Sequence, residues 1–144
     1  MTPGEPNALT ILPTHTRLRV LFDLFILKSW DGNHPDFGPD TFQFGVRNGP
    51  TLLDTTFSNY EPITQGFPGT LTDSYPPKTG AIESNTLGFT HPNLGVADAV
   101  YRLTYTFEHT DATVILDFRG ANLQGIGDES WGLDNVRVEA LNLP

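Results

Sequence analysis

The 144-residue chain contains no cysteine. That single absence excludes disulfides, thiolate zinc centres, iron–sulfur clusters and cysteine nucleophiles. Positive charge is scarce: 8 Lys plus Arg stand against 17 Asp plus Glu, the net charge is −9, and no basic cluster offsets it locally. Such a surface repels phosphate backbones and anionic lipid, so nucleic acid and membrane surfaces are discounted as partners. Long apolar runs are missing too, since no stretch approaches the roughly 20 residues that cross a bilayer, and no membrane insertion is expected. Met1–Pro6 carries neither the basic start nor the apolar stretch of a secretion signal. Clean helical periodicity is absent from every segment of roughly ten residues or more.

What is present is punctuated β-pattern. Hydrophobic residues make up 38% of the chain, while 14 Gly and 12 Pro are scattered between the apolar runs and mark turns. Arg17–Lys28 is rich in branched and aromatic residues, with Leu18, Val20, Phe22, Leu24 and Ile26 on one parity. Phe42, Phe44 and Val46 share a face of Thr41–Arg47, and after the Asn48-Gly49-Pro50 turn Thr51–Phe57 reads as its hairpin partner. Ser58–Thr79 is a long Pro/Gly/Asp/Ser-rich stretch, too long for an ordinary connection and therefore functional or mobile. Ala81–Phe89 is a weaker strand, followed by clear ones at Val100–Phe107, Thr113–Phe118 and Leu133–Leu141. About seven to nine strands in one domain of this length predict an all-β, two-sheet jelly-roll-like sandwich without substantial helix. Residues 14–144 form that domain, and residues 1–13 form an N-terminal arm or donor strand.

Two segments concentrate oxygen-bearing side chains. Ser29–Asp40 (SWDGNHPDFGPD) is a Gly/Pro-rich loop between two strong strands, and Asp, Asn and carbonyl oxygens on such loops are what calcium takes as ligands. The alternative is a run of Asx-turns in which Asp and Asn satisfy their own backbone. In the last strand Asp134 shares parity with Val136, Val138 and Ala140, which predicts an inward carboxylate that must be paired or metal-bound. Trp30 and Trp131 adjoin these loops; core packing over a metal site competes there with a sugar-facing role. Tyr60 and Tyr75, in the long loop, are weaker glycan-contact candidates together with Trp30.

SWDGN (29–33), GPDTF (38–42), GPTLLDTTFSN (49–59) and ESWGLDNVRV (129–138), taken in order, resemble a jelly-roll domain of exported bacterial proteins, often ones with a PEP-CTERM sorting tail. The resemblance spans about residues 14–139 and implies an extracellular or cell-surface module. LDNVRV also looks like the last strand of calcium-containing carbohydrate-binding jelly rolls, where an Asp at the position of Asp134 contributes to a structural calcium. By that resemblance Asp31, Asn33, Asp40 and Asp134 are the expected calcium ligands. The pattern implies further β-structure before Leu12–His15 and a sorting tail after the domain, whereas about ten Pro/Gly-punctuated residues precede that segment here and no tail follows Leu143-Pro144 in the expected reading. An edge left open in that way would be covered by Ala8–Leu12, either within the domain or by strand donation from a neighbouring copy.

Catalytic patterns are missing. The four histidines share no spacing, no HxH, HExxH or GxSxG occurs, and adjacent Asp128 and Glu129 point to opposite faces of a strand. The expected protein is no enzyme but a calcium-binding structural module, self-assembling into an oligomer or fibre, or alternatively a carbohydrate-binding module with a polysaccharide partner.

Overall fold

Alternating burial in the Arg17–Lys28 segment sets the architecture. In the computed structural model, which describes the backbone of residues 7–9 and all of residues 11–142, Leu18, Val20, Phe22, Leu24 and Ile26 are buried on one face. The strands are β1 (Asn7–Leu9), β2 (Arg17–Lys28), β3 (Thr41–Val46), β4 (Thr51–Thr56), β5 (Glu83–Ser84), β6 (Thr90–His91), β7 (Gly95–Val96), β8 (Asp98–Glu108), β9 (Val114–Ala121) and β10 (Glu129–Leu141). One four-stranded sheet runs β1-β9-β3-β4 and the other β10-β2-β8-β5, with β6-β7 a separate hairpin. Every pairing is antiparallel. After β2 the chain crosses to β3 and β4, returns to β5 and β8, crosses to β9 and returns to β10. The result is the expected all-β, two-sheet sandwich.

Aromatic rings fill the space between the sheets. Phe22 of β2 meets Phe44 of β3 and Phe118 of β9 edge-on, at centroid distances of 5.0 and 5.1 Å. Trp131 of β10 meets Phe42 of β3 at 5.0 Å. Such pairs add specific geometry to the burial of large apolar surface.

Three local readings change. The expected strand over 81–89 shrinks to Glu83–Ser84 because buried Asp98 captures the backbone N–H groups of Thr86, Leu87 and Phe89 at 3.0–3.3 Å, winding the chain around its carboxylate. The long stretch 58–79 is ordered around Gln65, a fully buried amide. Its Oε1 accepts from Ser58 N, Lys78 N and the Tyr101 hydroxyl, while its Nε2 donates to the Phe67 and Thr79 carbonyls. In β10 a bulge between Asp134 and Arg137 sets Asn135 and Val136 opposite Phe22 alone, with Asn135 at φ 54°. That extra residue reverses the parity: Trp131 and Leu133 face the core before it, Val138 and Ala140 after it, and Asp134 is turned to solvent.

The N-terminal strand donor falls partly outside the described residues, which omit 1–6 and Thr10. Asn7–Leu9 pairs with Val114–Leu116 of its own chain.

Candidate metal centre

The sandwich is closed at one end by three strand boundaries. The chain leaving β2 makes an isolated bridge through Asp31 to Ser58, Asp40 immediately precedes β3, and Glu129 opens β10 opposite Lys28. Between Asp31 and Asp40 the loop folds on itself: His34 N donates to the Asp31 carbonyl, Gly38 N to that of His34, and Asp40 N to that of Gly32. Gly32 sits at φ 47°, and a side chain there would meet the Thr64 carbonyl at 2.3 Å. Only glycine allows the two loops to approach this closely.

This closure brings Asp31, Asp40 and Glu129 together, 5%, 0% and 2% exposed, with one carboxylate oxygen of each within 4.8 Å of the other two. Ligands held at about 2.3–2.6 Å from one calcium lie no more than about 5 Å apart, so the spacing fits a single ion. Existing hydrogen bonds leave part of the set over. Asp40 Oδ2 accepts from Asp31 N, Asp31 Oδ1 from the Tyr60 hydroxyl, and Glu129 Oε2 from Gln124 N at 2.6 Å. Asp40 Oδ1 and Glu129 Oε1 are buried without a partner. Unpaired buried carboxylate oxygens are costly and demand a proton or a cation. Burial, with the charge of Asp31 added, pushes Asp40 up to about 7; burial, with the charges of Asp40 and Asp31, pushes Glu129 up to about 9. Burial and the bond to Asp31 raise the Tyr60 phenol as well. An all-carboxylate set without nitrogen or sulfur suits a hard cation.

The expected ligands therefore divide. Asp31 and Asp40 lie in the cluster. Asn33 does not join it: its Oδ1 accepts from the Thr56 hydroxyl at 2.6 Å, and its Nδ2 donates to Thr64 Oγ1 and the Asp73 carbonyl. It pins the long loop onto the 31–40 loop. Asp134 is exposed beyond the β10 bulge, where its Oδ1 accepts from Asn135 N, and it stands outside the cluster. Glu129 takes the remaining place. Its signal was present, because it shares parity with Trp131 and Leu133 on a strand whose inward face is apolar.

The candidate glycan residues do not form a common face. Trp30 is 0% exposed, packs against Phe57 and donates from Nε1 to the Ser130 carbonyl at 2.8 Å, so its indole has no face to offer a sugar. Tyr60 is tied to Asp31, and Tyr75 alone is exposed, at 37%.

Beside the cluster, Asp128 Oδ1 accepts from Ser29 Oγ at 2.7 Å and from His91 Nε2 at 2.6 Å. His91 Nδ1 accepts from Asn93 N, which leaves the proton on Nε2. A nucleophile needs its base in direct contact, whereas here the carboxylate separates the hydroxyl from the imidazole. The trio stitches the ends of β2 and β10 to the β6-β7 hairpin.

No family model, curated protein or solved structure matches the chain.

Proposed function

We propose that the chain is a non-catalytic structural module of the extracellular or cell-surface type, stapled by one calcium ion at Asp31, Asp40 and Glu129. The observation that carries this reading is the pair of buried, unpartnered oxygens, Asp40 Oδ1 and Glu129 Oε1, on two members of a cluster that Asp31 completes. A calcium ion bound there offsets two of the three carboxylate charges and ties β2, β3 and β10 together at one end. Through Tyr60 and Asp31 it also reaches the long loop. A chain without cysteine has no disulfide to do this work. Calcium is preferred to magnesium because a buried site leaves little room for the waters that magnesium retains.

The test is thermal unfolding in calcium, in magnesium and in excess chelator. Ligand binding to the native state stabilises by RT ln(1 + [L]/Kd), about 2.7 kcal/mol at a hundredfold excess over Kd. A clear rise in melting temperature with calcium supports the staple; identical melting in all three conditions rejects it.

Assembly through the N-terminal arm belongs to the same reading. β1 is a three-residue strand on the β9 edge, and the same pairing made between chains would join modules head to tail. Deleting residues 1–12 should then abolish large assemblies, while unchanged particle size would remove this part of the proposal.

A further inference from the structure

The four outer edges of the two sheets are protected unequally. β1 has only three residues. β4 is overlaid at its end by the long loop, through Phe67 N to the Thr56 carbonyl and the Thr55 hydroxyl to the Gly69 carbonyl. β10 is broken by its bulge. Short length, cover and bulges are the devices that keep edges from pairing with other chains. β8 has none of these over its second half. Its register with β2 runs unbroken from Asp98 to Glu108, but β5 covers only Ala99 and Val100 on the other side.

The direction of the free groups follows from the bonds already made. The carbonyls of Asp98 and Val100 accept from Asn85 N and Ile82 N on the β5 side, so the residues of the same parity, Arg102, Thr104, Thr106 and Glu108, point their backbone groups outward too. Among the described residues no backbone partner meets those of Arg102, Thr104 and Thr106 on that side. The segment contains no glycine, proline or lysine.

Its sequence, Arg102-Leu103-Thr104-Tyr105-Thr106-Phe107-Glu108, is complementary to itself when reversed. With Tyr105 on a twofold axis, Arg102 lies opposite Glu108 of a second copy and Thr104 opposite Thr106. Leu103 then lies opposite Phe107. Opposite charges and Thr–Thr pairs are favourable cross-strand neighbours. The register also obeys the pleat, for it places every outward-pointing backbone group against another and keeps inward side chains on one face. Arg102 pairs with Asp23 at 2.9 Å and Glu108 lies 4.0 Å from Arg17 within the chain, but their side chains are 64% and 88% exposed, so each charge is also open to a second copy.

We infer that the free half of β8 is a homodimer interface, in which two copies pair antiparallel through Arg102–Glu108 and merge two four-stranded sheets into one. The contact is isologous and closes at two chains, unlike head-to-tail donation by the arm. It lies away from the acidic cluster and is independent of calcium.

Sedimentation over a concentration series, in calcium and in chelator, gives the first reading, and a dimer of equal affinity in both is expected. Glu108→Arg sets like charges opposite each other at both ends of the pairing and should raise the dimer Kd about tenfold or more. The register is read by cysteine pairing in a chain that otherwise has none. Residues opposite each other without hydrogen bonds sit about 4.5 Å apart at Cα, within disulfide range. Tyr105→Cys should therefore oxidise to a covalent dimer. Glu108→Cys should not, because two copies of position 108 lie about 20 Å apart in this register at about 3.4 Å per residue. A wild-type chain that stays monomeric at millimolar concentration overturns the inference. So does a dimer unmoved by Glu108→Arg, or equal oxidation of the two cysteine variants.

Discussion

At the middle of the sandwich, Phe22 meets Phe44 and Phe118 edge-on while those two rings stack on each other; at its end, Asp31, Asp40 and Glu129 are buried nearly as deeply as Phe22 and Phe44. The aromatic region is complete in itself, since every ring finds ring or aliphatic neighbours supplied by the strands that burial drives together. Burial alone does not complete the acidic region. It concentrates carboxylates, raises the affinity of Asp40 and Glu129 for protons and leaves two oxygens without partners. One end of the molecule thus folds by the general preference of apolar surface for apolar surface. The other is organised for a charge the chain itself does not contain.

The largest expected effect breaks the aromatic side of this contrast. Phe44→Ala should cost about 3–5 kcal/mol of stability, measured by denaturant unfolding, and by the same amount in calcium and in chelator. On the acidic side the dependence on conditions should be reversed. Glu129→Gln should abolish the calcium-induced rise in melting temperature, about 2.7 kcal/mol at a hundredfold excess over Kd, yet leave the chain at least as stable as wild type in chelator at pH 8. An aromatic variant whose loss depended on calcium, or an acidic variant that kept the full calcium effect, would erase the distinction.

Proton linkage sharpens it further. Asp40 and Glu129 hold their protons up to about 7 and about 9 in the folded chain, above the ordinary carboxylate range. Between about pH 4 and 9 the metal-free native state therefore binds more protons than the unfolded one, and its stability falls as pH rises. Calcium competes with those protons, so in excess calcium stability should hold or rise over the same interval. Melting curves at pH 5, 7 and 9, with and without chelator, read both slopes.

Two smaller effects mark the border of the site. Asn33→Ala removes two hydrogen bonds to the long loop and one to Thr56 of β4, and should cost about 1–2 kcal/mol while leaving the calcium increment in place. Asp134→Ala, beyond the bulge, should stay within about 0.5 kcal/mol of wild type by the same unfolding assay.

The strands were legible in the sequence wherever burial alternates on a single period, as in β2, β3 and β8. Asp31 and Asp40 were legible because a Gly/Pro-rich loop between two apolar strands concentrates oxygen atoms in a short span. Asp134 was misplaced by one residue of bulge, which period-two reasoning cannot detect because it leaves the apolar composition unchanged. Glu129 was masked by the same reasoning in reverse: its alternation with Asp128 spoke against a carboxylate pair, but not against an inward Glu meeting carboxylates from other strands. The order of residues 58–79 depends on Gln65, a single buried amide that bonds Ser58, Phe67, Lys78 and Thr79 along the stretch and Tyr101 on β8. No local pattern announces such a residue.

The most direct measurement is calorimetric titration of the chelator-stripped chain with calcium at pH 7.5, alongside Asp40→Asn and Glu129→Gln. The account predicts one ion per chain, accompanied by proton release, with binding lost or severely weakened in both variants. No binding to the wild-type chain, or unchanged binding to the variants, would contradict it.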